Sequence, residues 1–488
     1  MFKKFKVFER VNKKWGLWAA IGVFFGIRMF WIDTVPILTN DSVSYLHMAK
    51  NDELFSSLRT LLEIRTLKTV GYGLFLKLID SLGFLLPYDF LGNVVLVQHL
   101  IWLAIILWAI ALIGFWVIPV MMVMSAPFFV WSTNTILTEP LTVALVCILF
   151  LSSVQFSNLL TAKKLPKYNF QWFFLVFLIG LSFVWLILVK FFYLATGLIV
   201  LAPAVTVFLS KTRSRERIKM SLVGASIALV LGATVVGLQS YYNYDRYGKF
   251  TPVSAQGRVL FWGIWTSVFN LRTHAFKNPK IIENYTGKNL YDYITNANLE
   301  CRKNFDCENK ILDLESQKLV EVSGLKLDEA RIRSFLMALI GGEKNELHAM
   351  RQSFLTQDRA RKNQGDYWLV DASTVKTGTA ATLEKFNESQ MPNVIYGFSQ
   401  WPVFDGFVTA AQGLISFCYF FGCLWLLGKR KFNGWFFALS GLVAQVVVCF
   451  AFAWFLTDIW RYLQTWWILA CLSMAYFISA NLKLEFKE

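Results

Sequence analysis

Asp41 stands in the run Asn40-Asp41-Ser42-Val43-Ser44-Tyr45-Leu46-His47-Met48-Ala49, directly after the first apolar stretch, and Glu139 stands in Thr138-Glu139-Pro140 at the edge of another. Lys190 interrupts the largely apolar run 170–210. Asn243, Asp245 and Arg246 follow a later apolar stretch, and Asp458 and Arg461 separate the last two. Ionisable groups at such depths are costly, and they are kept either for a function or for the water boundary. Carboxylates and cations gathered on one face suit the transfer of a sugar from a lipid-linked phosphate to a hydroxyl. A carboxylate takes the hydroxyl proton as the new bond forms, and cations neutralise the phosphate that leaves. Asp41 fits the first role. Lys190, Arg246 and Arg461 fit the second, arginine through bidentate contact and lysine as a point charge. Tyr45, Tyr193, Tyr247 and Tyr462 lie beside them and could stack on a sugar, although tyrosines at such positions also serve as interfacial anchors. His47 and Asp458 complete the set of candidate substrate contacts.

The elements that must hold these residues follow from composition. With 56% hydrophobic residues, 17% aromatic residues and a mean hydropathy of +0.48, the chain carries apolar runs near the roughly 20-residue length that crosses a bilayer. A single soluble core is excluded, and the fold class expected is an all-α polytopic membrane protein of about ten spans. These are 15–34, 92–113, 115–136, 140–159, 170–189, 191–210, 220–240, 405–427, 433–456 and 463–481. No small-residue cleavage site precedes the first run, so Trp15 to about Ile32 is expected as a retained span and no signal peptide is predicted.

The positive-inside rule tests the count. With a cytoplasmic N-terminus, Lys3, Lys4, Lys6, Arg10, Lys13 and Lys14 fall inside, as do Lys163, Lys164 and Lys167. Lys211, Arg213, Arg215, Arg217 and Lys219 fall on that same side, followed by Lys429, Arg430 and Lys431. By contrast, 21 basic and 19 acidic residues share 242–405, so most of the formal charge of +16 reflects topology rather than affinity for nucleic acid. The organisation expected is an N-terminal membrane module 1–241 with about seven spans and an outer loop 35–91, an outer insertion 242–404, and a C-terminal membrane module 405–488 with about three spans. Both chain ends are expected in the cytoplasm.

In the outer loop, apolar residues of Thr69–Ile79 recur at helical spacing, which predicts a short interfacial helix roofing a membrane cavity. The insertion is charge-mixed and long enough to fold as a small domain, mixed or helical, with a helical pattern over Ile311–Ile340 whose apolar stripes read as packing faces. Cys147, Cys418, Cys423, Cys449 and Cys471 lie in apolar spans and behave as small hydrophobes. Only Cys301 and Cys307 are placed to pair, which an oxidising compartment such as a periplasm would favour. The four histidines, His47, His99, His274 and His348, form no zinc-type spacing.

Six short motifs in order carry a resemblance. They are Asp41-Ser-x-x-Tyr45 with Ala49, Lys68-Thr-Val-Gly71-Tyr72-x-Leu74-Phe75-Leu76, Leu137-Thr138-Glu139, Val189-Lys190-Phe-Phe-Tyr193, Asn243-x-x-Arg246-Tyr247-Gly248-x-Phe250 and Asp458-x-x-Arg461-Tyr462. Through them the chain resembles the integral-membrane C-type glycosyltransferases (the GT-C superfamily), in particular the bacterial dolichyl-phosphate-mannose-like and lipopolysaccharide- or O-antigen-modifying branch. The resemblance implies a polyprenyl-phosphate-sugar donor, a glycan or glycolipid acceptor, and Asp41 as catalytic base. It implies Lys190 and Arg461 at the donor phosphate, and a site facing the periplasm from the bacterial inner membrane. Two features depart from the family pattern: Val70 stands where proline is common, and the first-loop motif has one Asp rather than an acidic pair, which opens the base role to Glu139. Some branches use a divalent metal and others do not. Asp41 and Glu139 alone are too few to hold magnesium unless water and donor phosphate complete the shell.

Two other readings share these residues. A transporter or flippase of a lipid-linked saccharide would explain charges at a membrane face, but such proteins tend to have two related halves, and the single outer insertion has no counterpart. A glycan polymerase or ligase would use the same architecture on longer saccharides.

Overall fold

The computed structural model describes residues 45–46, 48–52, 56–57, 59, 62, 70–124, 138–162, 168–247, 250–251, 260–261, 263–265, 290–301, 304–340, 401–455 and 460–485. The expected span 15–34 and the positions Asp41, His47 and Asp458 lie outside them. The described residues are almost all helical, with no strand among them.

Local chemistry sets where the helices start and stop. Helix α1, Gly71–Ser81, is followed by a turn in which Asp89 caps α2, Phe90–Ile113, by accepting the Gly92 N–H at 2.8 Å. Gly114 ends α2 at φ 75°, a backbone region open to glycine, and a 3-10 turn over Gly114–Val117 leads into α3, Ile118–Met124. Helix α4 runs Thr138–Thr161. Asn169 caps α5, Phe170–Val189, and Lys190 ends it in extended backbone at φ −160°. A 3-10 turn over Phe191–Thr196 then feeds α6, Gly197–Leu209. Helix α7 spans Arg215–Tyr247 and exceeds the expected 220–240 at both ends, because its polar first and last turns stay helical outside the apolar stretch.

The insertion supplies α8, Leu290–Glu300, α9, Phe305–Ser323, and α10, Leu327–Ile340. Asn304 caps α9, Gly324 closes it at φ 66°, and a disulfide ties Cys301, ahead of the helix, to Cys307 in its first turn. The C-terminal helices are α11, Trp401–Gly428, α12, Trp435–Phe455, and α13, Trp460–Glu485.

Six of these segments are long and apolar enough to cross a membrane: Phe90–Met124, Thr138–Thr161, Phe170–Val189, Arg215–Asp245, Ala410–Gly428 and Thr465–Leu482. Two shorter apolar helices, Tyr193–Leu209 and Trp435–Ala451, pack among them. The chain is therefore an all-α protein of integral-membrane character. Burial ranks the helices: the apolar windows of α13 and α4 are 89% and 78% buried, against 28% for α7 and 22% for α11. Helices α4 and α13 form the centre of the bundle, and α7 and α11 lie at its perimeter with large apolar side chains such as Val230, Leu414 and Phe417 exposed. A second, smaller core of Phe261, Ile264, Ala297, Leu312 and Leu319 lies within the insertion.

Candidate functional site

Glu139 is placed by the first turn of α4, one of the two central helices, and is 5% exposed. A carboxylate is rarely buried this deeply without polar company. Thr138 donates to its Oε2 at 3.2 Å, and Thr142, one turn on, donates to its backbone carbonyl at 2.9 Å. An acidic side chain in the first turn also meets the favourable end of the helix dipole.

Two buried tyrosines face this acid. Tyr72, in the first turn of α1, donates its hydroxyl to Gln98 of α2 at 3.1 Å. Its phenol is held well above the usual range by burial first, then by the Glu139 carboxylate and by Tyr45, so it stays a neutral donor. Tyr193, in the 3-10 turn after Lys190, donates to Thr465 of α13 at 3.5 Å and is within hydrogen-bond reach of Thr142. Its ring stacks on Trp466 with centroids 5.3 Å apart, and the Glu139 charge reaches it as well. Segments from α1, α4 and the Lys190 turn thus surround one carboxylate, and α13 backs Tyr193.

The segment that carries Tyr45 joins through this residue, whose ring meets Tyr72 edge-on at 5.2 Å. Tyr45, Leu46 and Ala49 are all buried in the main core. The Lys190 break is fixed from the same direction. Trp185 Nε1 donates to the Gly71 carbonyl at 2.9 Å, and α1 rests on the backbone at the end of α5. A Cβ on Gly71 would lie 2.6 Å from the Leu188 carbonyl carbon and 2.6 Å from the Val189 nitrogen, so only glycine permits this approach. Lys190 itself is half-buried.

Of the residues singled out in the sequence, Tyr45, Glu139, Lys190 and Tyr193 fall in this region. Arg246 lies in the last turn of α7, and its neighbour Asp245 pairs with Arg59 of the outer loop. Arg461 and Tyr462 lie in the first turn of α13, ahead of Thr465. For Tyr45 and Tyr193 the sequence left stacking on a sugar and interfacial anchoring both open. In the structure both are buried, Tyr45 against Tyr72 and Tyr193 against Trp466, as aromatic rings at helix junctions pack on one another. Gln98, Thr142, Thr465 and Trp466 carried no expectation. Gln98 and Thr465 were visible as polar positions inside apolar runs, and each proves to be buried and to accept from a site tyrosine. Among the described residues, no three His, Cys, Asp or Glu side chains stand together as a metal site.

Compared with protein-family models, with curated proteins and with solved structures, the chain matches none.

Proposed function

We propose that this protein is a membrane glycosyltransferase that moves a sugar, with inversion, from a polyprenyl-phosphate carrier to a hydroxyl of a cell-envelope glycan or lipid. In this reading the chain crosses a bacterial inner membrane about ten times, and the Glu139 end of the bundle faces the periplasm. The observation that carries the proposal is a buried carboxylate, Glu139, ringed by hydroxyl-bearing side chains at the end of the bundle where Lys190 breaks the α5–α6 run. A Cys301–Cys307 disulfide in the insertion supports an oxidising compartment on that side.

Asp41 is the proposed base. It precedes Tyr45 by four residues, about 14 Å of chain at full extension, and Tyr45 is anchored on Tyr72 at the wall of the site. The acceptor oxygen attacks the anomeric carbon as the bond to the donor phosphate breaks. Asp41 receives the acceptor proton, and the electron pair leaves on the polyprenyl phosphate. Glu139 shares the task by holding the acceptor hydroxyl. Lys190, Arg246 and Arg461 offset the charge on the leaving phosphate, the kind of stabilisation that contributes most in a site that excludes water.

Transfer by the purified protein in nanodiscs, with a polyprenyl-phosphate-sugar donor, tests the reading. Asp41→Asn is expected to lower turnover by about 10²–10⁴ with donor binding retained, the usual weight of a general base. Lys190→Ala is expected to weaken donor binding, with partial recovery in Lys190→Arg because charge survives while geometry changes. Normal turnover in Asp41→Asn together with normal donor affinity in Lys190→Ala would overturn the proposal.

A further inference from the structure

Helix α10 belongs to two cores at once. Its entry, through Leu325, Leu327 and Ala330, packs on the small core of the insertion, whereas Phe335, two turns on from Leu327, packs on the main bundle. Between them Arg331 donates its Nε–H to the Trp454 carbonyl at 3.2 Å and sits 4.2 Å above the Trp454 ring centroid. From there α10 runs against α12, touching α11 and α13 as well.

Trp454 tops a stripe on α12. Val443, Val446, Val447, Phe450 and Trp454 recur at helical spacing and are all exposed, as expected of a face turned to lipid chains. A tryptophan at the end of such a stripe marks the boundary between headgroups and acyl chains, and a cation over its ring is at home at that depth. Helix α10 is therefore pinned at the boundary and adjoins a lipid-facing surface. On it Ile332 and Leu336, one turn apart, are 61% and 51% exposed, and neither core covers them. Its first turn carries Asp328 and Glu329, and its second half reads Phe335-Leu336-Met337-Ala338-Leu339-Ile340. Acid at one end and unbroken apolar character at the other suits a helix that enters the bilayer edge from water.

We infer that α10 is a membrane-surface helix that anchors the insertion, with Ile332 and Leu336 in contact with lipid at the headgroup–acyl boundary beside α12. Such helices bury their apolar face about 5–10 Å into that layer. The inference requires only the membrane character of the bundle and is independent of the transfer reaction.

The test uses the full chain in nanodiscs, with the exposed Cys418 replaced by serine and an environment-sensitive fluorophore on single cysteines at Ile332→Cys and Leu336→Cys. Val447→Cys reports the lipid face, and Glu329→Cys reports water. Nitroxides near the headgroups of the lipids are expected to quench the probes at 332 and 336 several-fold more than the probe at 329, with emission shifted toward that of 447. Quenching at both positions by aqueous iodide alone would place the helix in water and overturn the inference. So would protection from both quenchers, which would mean that protein covers this face. All four positions are exposed, so labelling leaves the fold in place, which an unchanged melting temperature of each labelled protein verifies.

Discussion

The two ends of the bundle bury polar groups in different ways. At the Glu139 end, beside bonds to backbone such as Thr142 to Glu139 and Trp185 to Gly71, buried side chains also bind one another: Thr138 to Glu139, Tyr72 to Gln98, Tyr193 to Thr465. At the opposite end, side chains mostly bind backbone. Asn481 donates to the Asn433 and Phe477 carbonyls at 2.9 and 2.8 Å, Ser479 to Ile113 at 2.7 Å, and Arg217 to Leu160 at 3.1 Å. Side-chain pairs occur there too, Tyr476 donating to Asn158 at 3.1 Å and Trp108 to Gln155 at 2.7 Å. A carbonyl at a helix end must be satisfied whatever the protein does, so the second arrangement fastens the fold. A carboxylate surrounded by hydroxyls meets no such need. It burdens stability, which is why this end is the one proposed as the site.

The contrast can be broken by substitution, beginning where the effect should be greatest. Glu139→Gln keeps size and hydrogen bonding but removes the charge. It is expected to reduce turnover by about 10² or more while leaving the melting temperature near that of the parent, since an interaction with the reacting groups is lost and no cavity is made. Equal loss of stability and turnover would make Glu139 a fastener like Asn481. Gly71→Ala comes next. Its methyl would meet the Leu188–Val189 backbone, which cannot rotate away, so a destabilisation of about 3 kcal/mol, at the upper end for overpacking, is expected in chemical or thermal unfolding.

At the opposite end, Asn481→Ala removes two donated bonds to backbone carbonyls, for an expected loss of about 2 kcal/mol in stability. Turnover per folded molecule should be unchanged, and a fall in it would erase the distinction between the ends. The smallest effect is Tyr72→Phe, which deletes one donor to Gln98 and should cost about 1 kcal/mol. Its sharper signature is a several-fold drop in turnover without a matching change in donor affinity, because Tyr72 faces Glu139.

The spans were legible wherever apolar character and capping coincide. The expected segment 170–189 matches α5 end to end because Asn169 starts it and Lys190 stops it. Helix α7 was underestimated because hydropathy measures the membrane, whereas helical structure continues through Arg215–Lys219 and Gln239–Tyr247 where no apolar signal remains. In the site, single charges in apolar surroundings were conspicuous, and Glu139 and Lys190 were found on that ground. Their neutral partners were not. Tyr72 and Gln98 lie 26 positions apart and Tyr193 and Thr465 lie 272 apart, and no local periodicity connects such pairs. The tyrosines were seen as residues, but their ring partners, Tyr72 for Tyr45 and Trp466 for Tyr193, were not, since sequence gives a ring its depth and not its neighbour.

The join between Tyr193 and α13 also sets a clock on biosynthesis. A chain lengthening at about 5–20 residues per second needs roughly 14–54 s to make the 272 residues from Tyr193 to Thr465. For that interval Glu139, Tyr72 and the Lys190 turn can already be in the membrane while the wall that Thr465 and Trp466 supply does not yet exist. A half-made chain therefore carries a carboxylate at its bundle end with one side open. A ribosome that stalls before α13 leaves behind a membrane protein that has Glu139 and Lys190 but lacks Arg461 and the enclosure that Thr465 and Trp466 supply.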